Sequence, residues 1–295
     1  MWDSKIHSRA LKIKSILGAL EKPFWKIIGG LNKDDLLVLN YHSTPKKFIP
    51  NLEKQLLFFQ KEFDIISPNQ VSDFYKSSGN STSKKIKLLL TFDDGLANNL
   101  LAIELLNKYS IKAIFFVVPN FIDSDNQKEY YLKNIRPEIN DNIDFRKEDF
   151  EAMSWAELSI AATHGHKIES HSLTHVMCAE DENEVRQNEE IVISRAIIES
   201  KLNIQIDSFC APNDSLKSVN YDSLLLIKQN YTYFYSTFPG SNSLGKDPMF
   251  IKRSNVECFW PLGTVKFALG SFERKRWKEQ RVRFRNILDK IDGKN

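Results

Sequence analysis

Residues 87–95 read KLLLTFDDG, an apolar run that ends in two aspartates and a glycine. The run is nearly all apolar and does not alternate between apolar and polar residues, which is typical of a parallel strand buried on both faces. Polar groups follow directly where the run stops. The stretch therefore predicts a buried parallel strand with Asp93 and Asp94 at its carboxyl end.

Similar runs recur along the chain and alternate with stretches of helical periodicity. They predict strands at 36–41, 87–92, 112–118, 166–170, 207–211, 232–236 and 250–256. Helices are predicted at 52–63, 98–109, 154–162, 182–202 and 215–229, and an irregular charged insertion at 123–142. About seven βα units of this kind predict an α/β fold, in which a parallel sheet with helices outside closes or nearly closes into a (β/α)7 barrel.

The composition fits a globular protein with one main domain. Of 295 residues, 42% are hydrophobic and 27% charged, and the net charge is +3. This small basic excess argues against a nucleic-acid-coating protein, so no nucleic-acid partner is expected. We predict a barrel domain at 35–260, a basic amphipathic helical segment at 1–34 and a basic C-terminal helix at 261–295. The first segment either packs on the domain or contacts an anionic membrane or lipid-phosphate carrier.

Cysteine usage and hydropathy bear on the compartment. The chain has three widely spaced cysteines and no CxxC pair: Cys178, Cys210 and Cys258. This pattern argues against a disulfide framework and fits a protein of a reducing compartment. We find no signal-peptide pattern and no run of roughly 18 apolar residues that could span a membrane. The sequence therefore predicts a cytoplasmic protein, with peripheral contact at the inner membrane face as an alternative.

Residues suited to metal chemistry follow three of the predicted strands. His42 ends the first, Asp93 and Asp94 follow the second, and His171 and His175 follow the fourth. Since the carboxyl ends of barrel strands share one face, these side chains are expected to meet in one pocket. Two imidazoles and one carboxylate suit zinc, iron or a similar divalent ion. One of the two aspartates could hold the metal while the other remains free to act as a base.

Each motif alone has a simpler explanation. A DDG tripeptide is often only a turn, and two histidines four residues apart could form a pair on a surface helix. An iron-dependent oxygenase would also use two histidines and one carboxylate, but the βα alternation argues against its antiparallel fold. Both motifs at strand ends of one barrel favour metal-assisted hydrolysis.

Two stretches resemble motifs of the polysaccharide deacetylase family, also called the NodB-homology family or carbohydrate esterase family four. TFDDG at 91–95, with an asparagine at 99, resembles the first motif, and HSLTH at 171–175 resembles the second. The resemblance implies a distorted (β/α) barrel and a divalent metal, usually zinc, with cobalt, nickel or iron as alternatives. By motif position, Asp93 would be the general base, and Asp94, His171 and His175 would be the metal ligands.

The general acid departs from the usual family pattern, because no histidine follows His175. The poly-N-acetylglucosamine deacetylases, whose motifs are circularly permuted, have a Tyr-His pair on an early strand in that role. Tyr41 and His42 resemble this pair, so the resemblance implies that His42 is the proton donor. Without the resemblance, His42 is an ordinary histidine at a strand end.

The third motif departs as well. Many members carry Arg-x-Pro-Tyr, in which the arginine orients the catalytic aspartate, whereas residues 209–214 read FCAPND. Pro212 is kept and Asn213 follows it, so both are expected near the substrate. Arg253, on the last predicted strand, could replace the lost arginine by pairing with Asp93; alternatively, it lies on the surface or pairs elsewhere.

These patterns together predict a metal-dependent hydrolase that removes an N-acetyl group from an amino sugar in a polysaccharide, oligosaccharide or lipid-linked precursor. The lost arginine leaves a degenerate, weakly active sugar-binding relative as an alternative. Deformylation or O-deacetylation of a related glycan is another.

Overall fold

A single curled sheet forms the centre of the computed structural model, which describes residues 13–14, 16, 31–77, 85–137, 150–177, 184–213, 215–270 and 276–294. In chain order its nine strands are β1 (Leu36–Tyr41), β2 (Asp64–Ile65), β3 (Lys87–Phe92), β4 (Ile114–Val117), β5 (Lys167–Ser170), β6 (Ser208–Cys210), β7 (Tyr233–Tyr235), β8 (Ser241–Asn242) and β9 (Ser254–Asn255). All seven predicted strands are present, although most are shorter than predicted. β2 and β8 were not predicted, because two-residue strands leave too little periodicity to detect.

The sheet is almost entirely parallel and nearly closed. Its order is β7-β6-β5-β4-β3-β1-β8, with β2 beside β3 and β9 beside β1, and only the β1–β8 pair is antiparallel among the described strands. The segment 251–256 bonds to both edges: Ile251 N donates to Phe234 O and Val256 N donates to Asn40 O, each at 2.9 Å. This closure confirms the predicted distorted barrel.

Helices surround the sheet. They are α1 (Ile49–Glu62), α2 (Gln70–Lys76), α3 (Asn99–Lys108), α4 (Pro119–Ile122), α5 (Gln127–Tyr130), α6 (Trp155–Thr163), α7 (Glu184–Asn188), α8 (Ser194–Leu202), α9 (Ser215–Ser218), α10 (Tyr221–Asn230), α11 (Leu262–Leu269) and α12 (Lys278–Ile291). All five predicted helices have counterparts among them.

Two predictions about the connections were wrong in detail, and one helix is less regular than expected. The helix predicted at 182–202 is continuous over the described residues 184–202, and a π-helical turn at Glu189–Ile193 lies between its parts α7 and α8. Asn220 starts α10 by accepting a hydrogen bond from Ser223 N, so the stretch predicted at 215–229 is two helices. The insertion at 123–142 was predicted to be irregular, but α5 and a π-helical turn at Tyr131–Ile135 lie within it.

The alternation of side chains along the strands separates two cores. Leu37 and Leu39 of β1 pack in the cluster that includes the helices, whereas Leu36 and Val38 face the other cluster, inside the curled sheet. The inward-facing series continues on β1 with Asn40, which lines a cavity at the carboxyl end of the strands. The barrel interior is therefore apolar at one end and polar at the other, and the polar end is where a site can form.

The basic termini are only partly described. Ile13, Lys14 and Ile16 are helical, and most of the predicted segment 1–34 lies outside the described residues. At the other end, Phe284 and Leu288 bury the apolar side of α12 in the core, so this basic helix packs on the barrel. Among the described residues, every helix falls short of the length and apolar character needed to cross a bilayer.

Candidate active site

A cavity of about 290 Å³ opens at the carboxyl ends of the strands. The predicted site residues that line it are His42, Asp93, Asp94, His171, His175 and Asn213. Arg253 lies behind this wall and is completely buried. Pro212 is buried and is not among the residues that line the cavity, and its carbonyl accepts a hydrogen bond from the Ser218 hydroxyl.

The DDG turn sends its two carboxylates in different directions. Asp93 continues the sheet, since its N–H donates to Tyr41 O at 2.9 Å. Asp94 and Gly95 then both adopt left-handed backbone conformations, with φ of 74° and 73°. A Cβ on Gly95 would lie 3.0 Å from Val117 Cγ1, a tight contact, so both the space and the left-handed backbone favour glycine at this position. The tripeptide is thus a sharp turn that directs the side chains of Asp93 and Asp94 to different neighbours.

Asp94, His171 and His175 form a compact trio. Asp94 Oδ1 lies 3.6 Å from His171 Nε2 and 3.4 Å from His175 Nε2, and all three residues are buried. One ligand atom from each lies within 4.8 Å of the others. Two imidazole nitrogens and one carboxylate oxygen around a common point are a donor set for zinc and similar ions.

The far nitrogen of each imidazole is fixed by a backbone carbonyl. His171 Nδ1 lies 2.9 Å from Cys210 O, and His175 Nδ1 lies 3.1 Å from Asn134 O. Because a carbonyl only accepts, both Nδ1 atoms must carry the proton. With Nδ1 held in this way, Nε2 of each imidazole is the atom that faces Asp94 and is placed to bind a metal, as in metal-binding histidines whose other nitrogen is held by a second group.

The loop between the two histidines is held from several sides. The His175 N–H donates to Ser172 Oγ at 3.0 Å, and the backbone of His175 is left-handed, with φ of 67°. Glu190, which is buried, accepts from both the N–H and the hydroxyl of Thr174. This bracing keeps the two imidazoles on one side of the cavity.

The residues of the trio fit a divalent cation. Burial alone would raise the pKa of the Asp94 carboxyl, but its contacts with His171 and His175 lower that pKa well below its usual range. Asp94 Oδ2 is buried and has no hydrogen-bond partner among the described residues. A buried carboxylate with one unsatisfied oxygen, beside two imidazole nitrogens that can act as ligands, is a group that a divalent cation would neutralise.

A second group, Asp93, His171 and Cys210, also has ligand atoms within 4.8 Å of one another. It suits an ion less well, because Arg253 occupies both oxygens of Asp93. Burial raises the pKa of the Cys210 thiol, which favours its neutral form. The trio on Asp94 is therefore the better metal site.

Arg253 forms a bidentate ion pair with Asp93. Nη1 donates to Asp93 Oδ1 at 2.7 Å, and Nη2 donates to Oδ2 at 2.9 Å. The guanidinium also donates to Ser236 O, Thr91 Oγ1 and Cys210 Sγ at 3.0, 3.0 and 2.8 Å. Burial would raise the pKa of the Asp93 carboxyl, but the positive charge of Arg253 lowers it, so Asp93 is an anion in a fixed orientation.

His42 also lines the cavity. Its side chain is 24% exposed, so a bound molecule could reach it, and its Nδ1 lies 3.3 Å from Glu257 Oε1. That contact has ion-pair distance without hydrogen-bond geometry, since Nδ1 has no hydrogen-bond partner among the described residues. Burial lowers the pKa of His42, but the negative charge of Glu257, together with that of Asp94 and Asp93, outweighs burial, so the net pKa is raised. Asn99 fixes the strand end by donating to His42 O at 2.7 Å.

Sequence reasoning missed two supporting residues. Glu257 directly follows the end of the last predicted strand, at 256, so the strand-end argument that found the aspartates could also have found it. Asn134 holds His175 through its backbone carbonyl, which leaves no signal in the identity of the side chain.

Comparison with solved structures supports the fold. PplD, a Streptococcus pyogenes deacetylase solved in complex with acetate, has a TM-score of 0.59 and 17% identity, over 76% of this chain and 93% of that chain. IcaB from Ammonifex degensii has a TM-score of 0.59 and 18% identity, over 82% and 97% of the two chains. The BpsB deacetylase domain from Bordetella bronchiseptica has a TM-score of 0.58 and 21% identity, over 77% and 97%.

The sequence comparisons concern the middle of the chain. A search of curated proteins found no match. The polysaccharide deacetylase family matches residues 80–233, just over half of the chain, a range that includes Asp93, Asp94, His171 and His175. His42 and Arg253 lie outside the matched range. The chain belongs to the polysaccharide deacetylase family, whose members hydrolyse the N-acetyl amide bonds of sugars.

Proposed function

We propose that this chain is a divalent-metal-dependent deacetylase that removes N-acetyl groups from an amino sugar in a polysaccharide, oligosaccharide or lipid-linked glycan precursor. The observation that carries the proposal is the trio of Asp94, His171 and His175, with both Nε2 atoms facing one carboxylate oxygen. Family membership supports the reaction, and the donor set supports the metal. Zinc is the first choice, because two histidines and a carboxylate are a common catalytic zinc set.

The trio would hold the ion, and Asp93 would remain free of it. When bound, a divalent ion supplies a Lewis acid that activates water and polarises a carbonyl. The three residues come from the loops after β3 and β5, and all of them line the cavity that substrate and water would enter. Cobalt and nickel accept similar nitrogen and oxygen donors and are included in the test for that reason.

Asp93 would act as the general base. Its carboxylate is anionic and lines the cavity, and the bidentate contact with Arg253 fixes the plane of the carboxyl group. Each carboxylate oxygen has more than one lone pair, so accepting from Arg253 leaves capacity to take a proton from the attacking water. In this proposal Arg253 is a positioning residue, which replaces the arginine that is lost from the third motif.

His42 would act as the general acid. An amine leaves poorly unless it is protonated, so the reaction needs a proton donor near the amide nitrogen. Glu257 favours the imidazolium form of His42, and Asn99 holds the strand end that presents it. His42 and Asp93 both line the cavity, so a substrate amide placed there could meet both groups.

The test is acetate release from a panel of glycans with added zinc, cobalt or nickel. The panel includes N-acetylated, N-formylated and O-acetylated oligosaccharides, and bound metal is measured in the same samples. We expect metal-dependent release of acetate that is fastest from N-acetylated substrates. If N-formyl groups or O-acetyl groups were hydrolysed faster, the protein would be a deformylase or an O-deacetylase instead. Binding of a glycan without turnover of any substrate would identify a degenerate sugar-binding protein.

We also propose peripheral contact with an anionic surface at the inner membrane face, where a lipid-linked precursor would be handled. Lys278, Arg283 and Lys290 of α12 are exposed, while its apolar side is buried in the core. Exposed basic side chains on a packed helix attract anionic lipid headgroups without inserting into the bilayer.

A further inference from the structure

Three cationic side chains come together on the outer side of the barrel: Lys252, Arg281 and Arg285. Side chains alternate along an extended segment, so Lys252 points away from the barrel interior, where its neighbour Arg253 contacts Asp93. Lys252, Arg281 and Arg285 are not among the residues that line the catalytic cavity. We call them the outer basic cluster, and they are separate from the candidate active site.

Two members of the cluster are held by the same short stretch of backbone. A Cβ on Gly240 would lie 2.7 Å from Lys252 Cδ, so the lysine side chain lies directly against this glycine. Arg281 Nη1 donates to the carbonyl of the preceding residue, Pro239, at 2.6 Å. The Lys252 side chain and the Arg281 guanidinium therefore lie next to each other.

The third member, Arg285, meets Lys252 at an aromatic ring. Lys252 Nζ lies 5.8 Å from the centroid of the Phe250 ring, and Arg285 Cζ lies 5.1 Å from the same centroid. Phe250 is itself fixed, because its ring stacks on Phe284 of α12 with centroids 4.6 Å apart. Rigid neighbours thus bring three positive charges to one place.

Two of these cations lack a carboxylate partner among the described residues. Lys252 Nζ forms no hydrogen bond or ion pair there, and the one hydrogen bond of the Arg281 guanidinium goes to the neutral Pro239 carbonyl. Burial lowers the pKa of Lys252, and the positive charges of Arg281 and Arg285 lower it further, to about 8. Half-buried charges that repel one another create a positive potential that attracts an anion.

Neighbouring carboxylates compensate for only part of this charge. Asp247 pairs with Arg285 at 3.1 Å. Asp35 raises the pKa of Lys252, but by less than the two arginines lower it, and Asp35 Oδ1 already accepts from the Ser243 hydroxyl. The cluster therefore keeps an excess of positive charge and of unused N–H donors.

We propose that the outer basic cluster is a binding site for a phosphate group, either inorganic phosphate or a phosphate monoester. The unused donors are the ammonium of Lys252 and most of the guanidinium of Arg281, and they suit a ligand with several acceptor oxygens. A phosphate monoester carries a charge of about −1.5 to −2 at pH 7, which offsets the excess better than a single carboxylate does. The phosphate can belong to a soluble compound or to a lipid headgroup. This site goes beyond the proposed deacetylase function and uses none of its residues.

The test is calorimetric titration of the full chain with inorganic phosphate at pH 7 and low salt. We expect about one phosphate per chain, and we expect Lys252→Met and Arg281→Met each to weaken binding about tenfold, because each removes charge-assisted hydrogen bonds. Arg283→Met is the matched control, since Arg283 is exposed on α12 and lies outside the cluster. It removes the same charge and should keep the wild-type affinity. Circular dichroism shows which variants are folded, and Lys252→Gln replaces any Lys252→Met protein that is not.

Vesicles distinguish the two sources of phosphate. Vesicles that contain phosphatidic acid, whose headgroup is a phosphate monoester, are compared with phosphatidylserine vesicles of equal surface charge. A preference for phosphatidic acid that Lys252→Met removes would identify a lipid headgroup, and Lys252-dependent binding of free phosphate without this preference would identify a soluble ligand. The proposal would be overturned if Lys252→Met and Arg281→Met bound both phosphate and phosphatidic acid as well as wild type does. It would also be overturned if Arg283→Met weakened phosphate binding as much as they do, because the effect would then be one of general charge.

Discussion

Replacing Arg253 with methionine should cost more stability than any exposed charge change in this protein. The guanidinium is completely buried and donates five hydrogen bonds, two of them to Asp93. Methionine has a comparable length but no donor, so the substitution leaves the Asp93 carboxylate buried without its counter-charge. Breaking one partner of a buried ion pair typically costs about 3–5 kcal/mol. For a domain of this size, that corresponds to a fall in Tm of roughly 6–20 °C.

The assay is urea unfolding followed by circular dichroism, with acetate release measured on the folded variant. Arg285→Met is the matched control, because Arg285 pairs with Asp247 at 3.1 Å and its side chain is 36% exposed. That variant should lose less than about 1 kcal/mol. Adding Asp93→Asn to the Arg253→Met protein should recover part of the lost stability, because a neutral amide is less costly to bury than an unpaired carboxylate.

Activity gives a second reading of the same pair. If Arg253 positions the base, Arg253→Met should lower kcat by about 100-fold with little change in KM, because a misplaced catalytic group costs rate more than binding. A loss of stability below about 1 kcal/mol for Arg253→Met, or full kcat in the folded variant, would refute the reasoning.

Three further predictions test other parts of the site and surface. Asp94→Ala should lose bound metal and activity together. Asp93→Asn should keep about one equivalent of metal and lose on the order of 10³-fold in kcat. Loss of metal from Asp93→Asn would contradict the assignment of Asp94 as ligand and Asp93 as base. Glu257 raises the pKa of His42, so the alkaline limb of the kcat/KM profile, where the acid loses its proton, should move to lower pH in Glu257→Gln; an unmoved limb would exclude His42 as the titrating acid. The protein should co-sediment with vesicles that contain anionic lipid and be released by salt, and equal binding to neutral vesicles would show that charge is not the cause.

Most of the fold could be predicted from the sequence because the two longest strands, β1 and β3, are nearly all apolar. The run at 36–41 and the run at 87–92 match β1 and β3 residue for residue. The final strand was predicted at 250–256 but is regular only at Ser254–Asn255, because its hydrogen bonds are divided between two edges of the barrel. Periodicity reports which residues are apolar, whereas strand bounds depend on which neighbours supply hydrogen bonds.

The residues of the candidate site could be predicted from the sequence, but only some of their contacts could. The sequence placed polar side chains at strand ends, and the structure brings His42, Asp93, Asp94, His171 and His175 to one cavity. Whether an arginine far along the chain would face Asp93 could not be determined, because that depends on how the barrel closes. The backbone carbonyls that fix the two imidazoles could not be predicted either, because every residue has a carbonyl and the sequence does not indicate which one will face a histidine.

The pair formed by Arg253 and Asp93 also has a consequence for the order in which the protein becomes competent. The three candidate ligands and the backbone carbonyls that fix the two imidazoles come from residues 94–210, while the guanidinium that holds the neighbouring carboxylate comes about 40 residues later, on the segment that joins the two edges of the sheet. A nascent or C-terminally shortened chain could therefore assemble its cation site before its base is aligned. Hydrolytic activity would then require that the segment 251–256 has already bonded to both edges of the sheet.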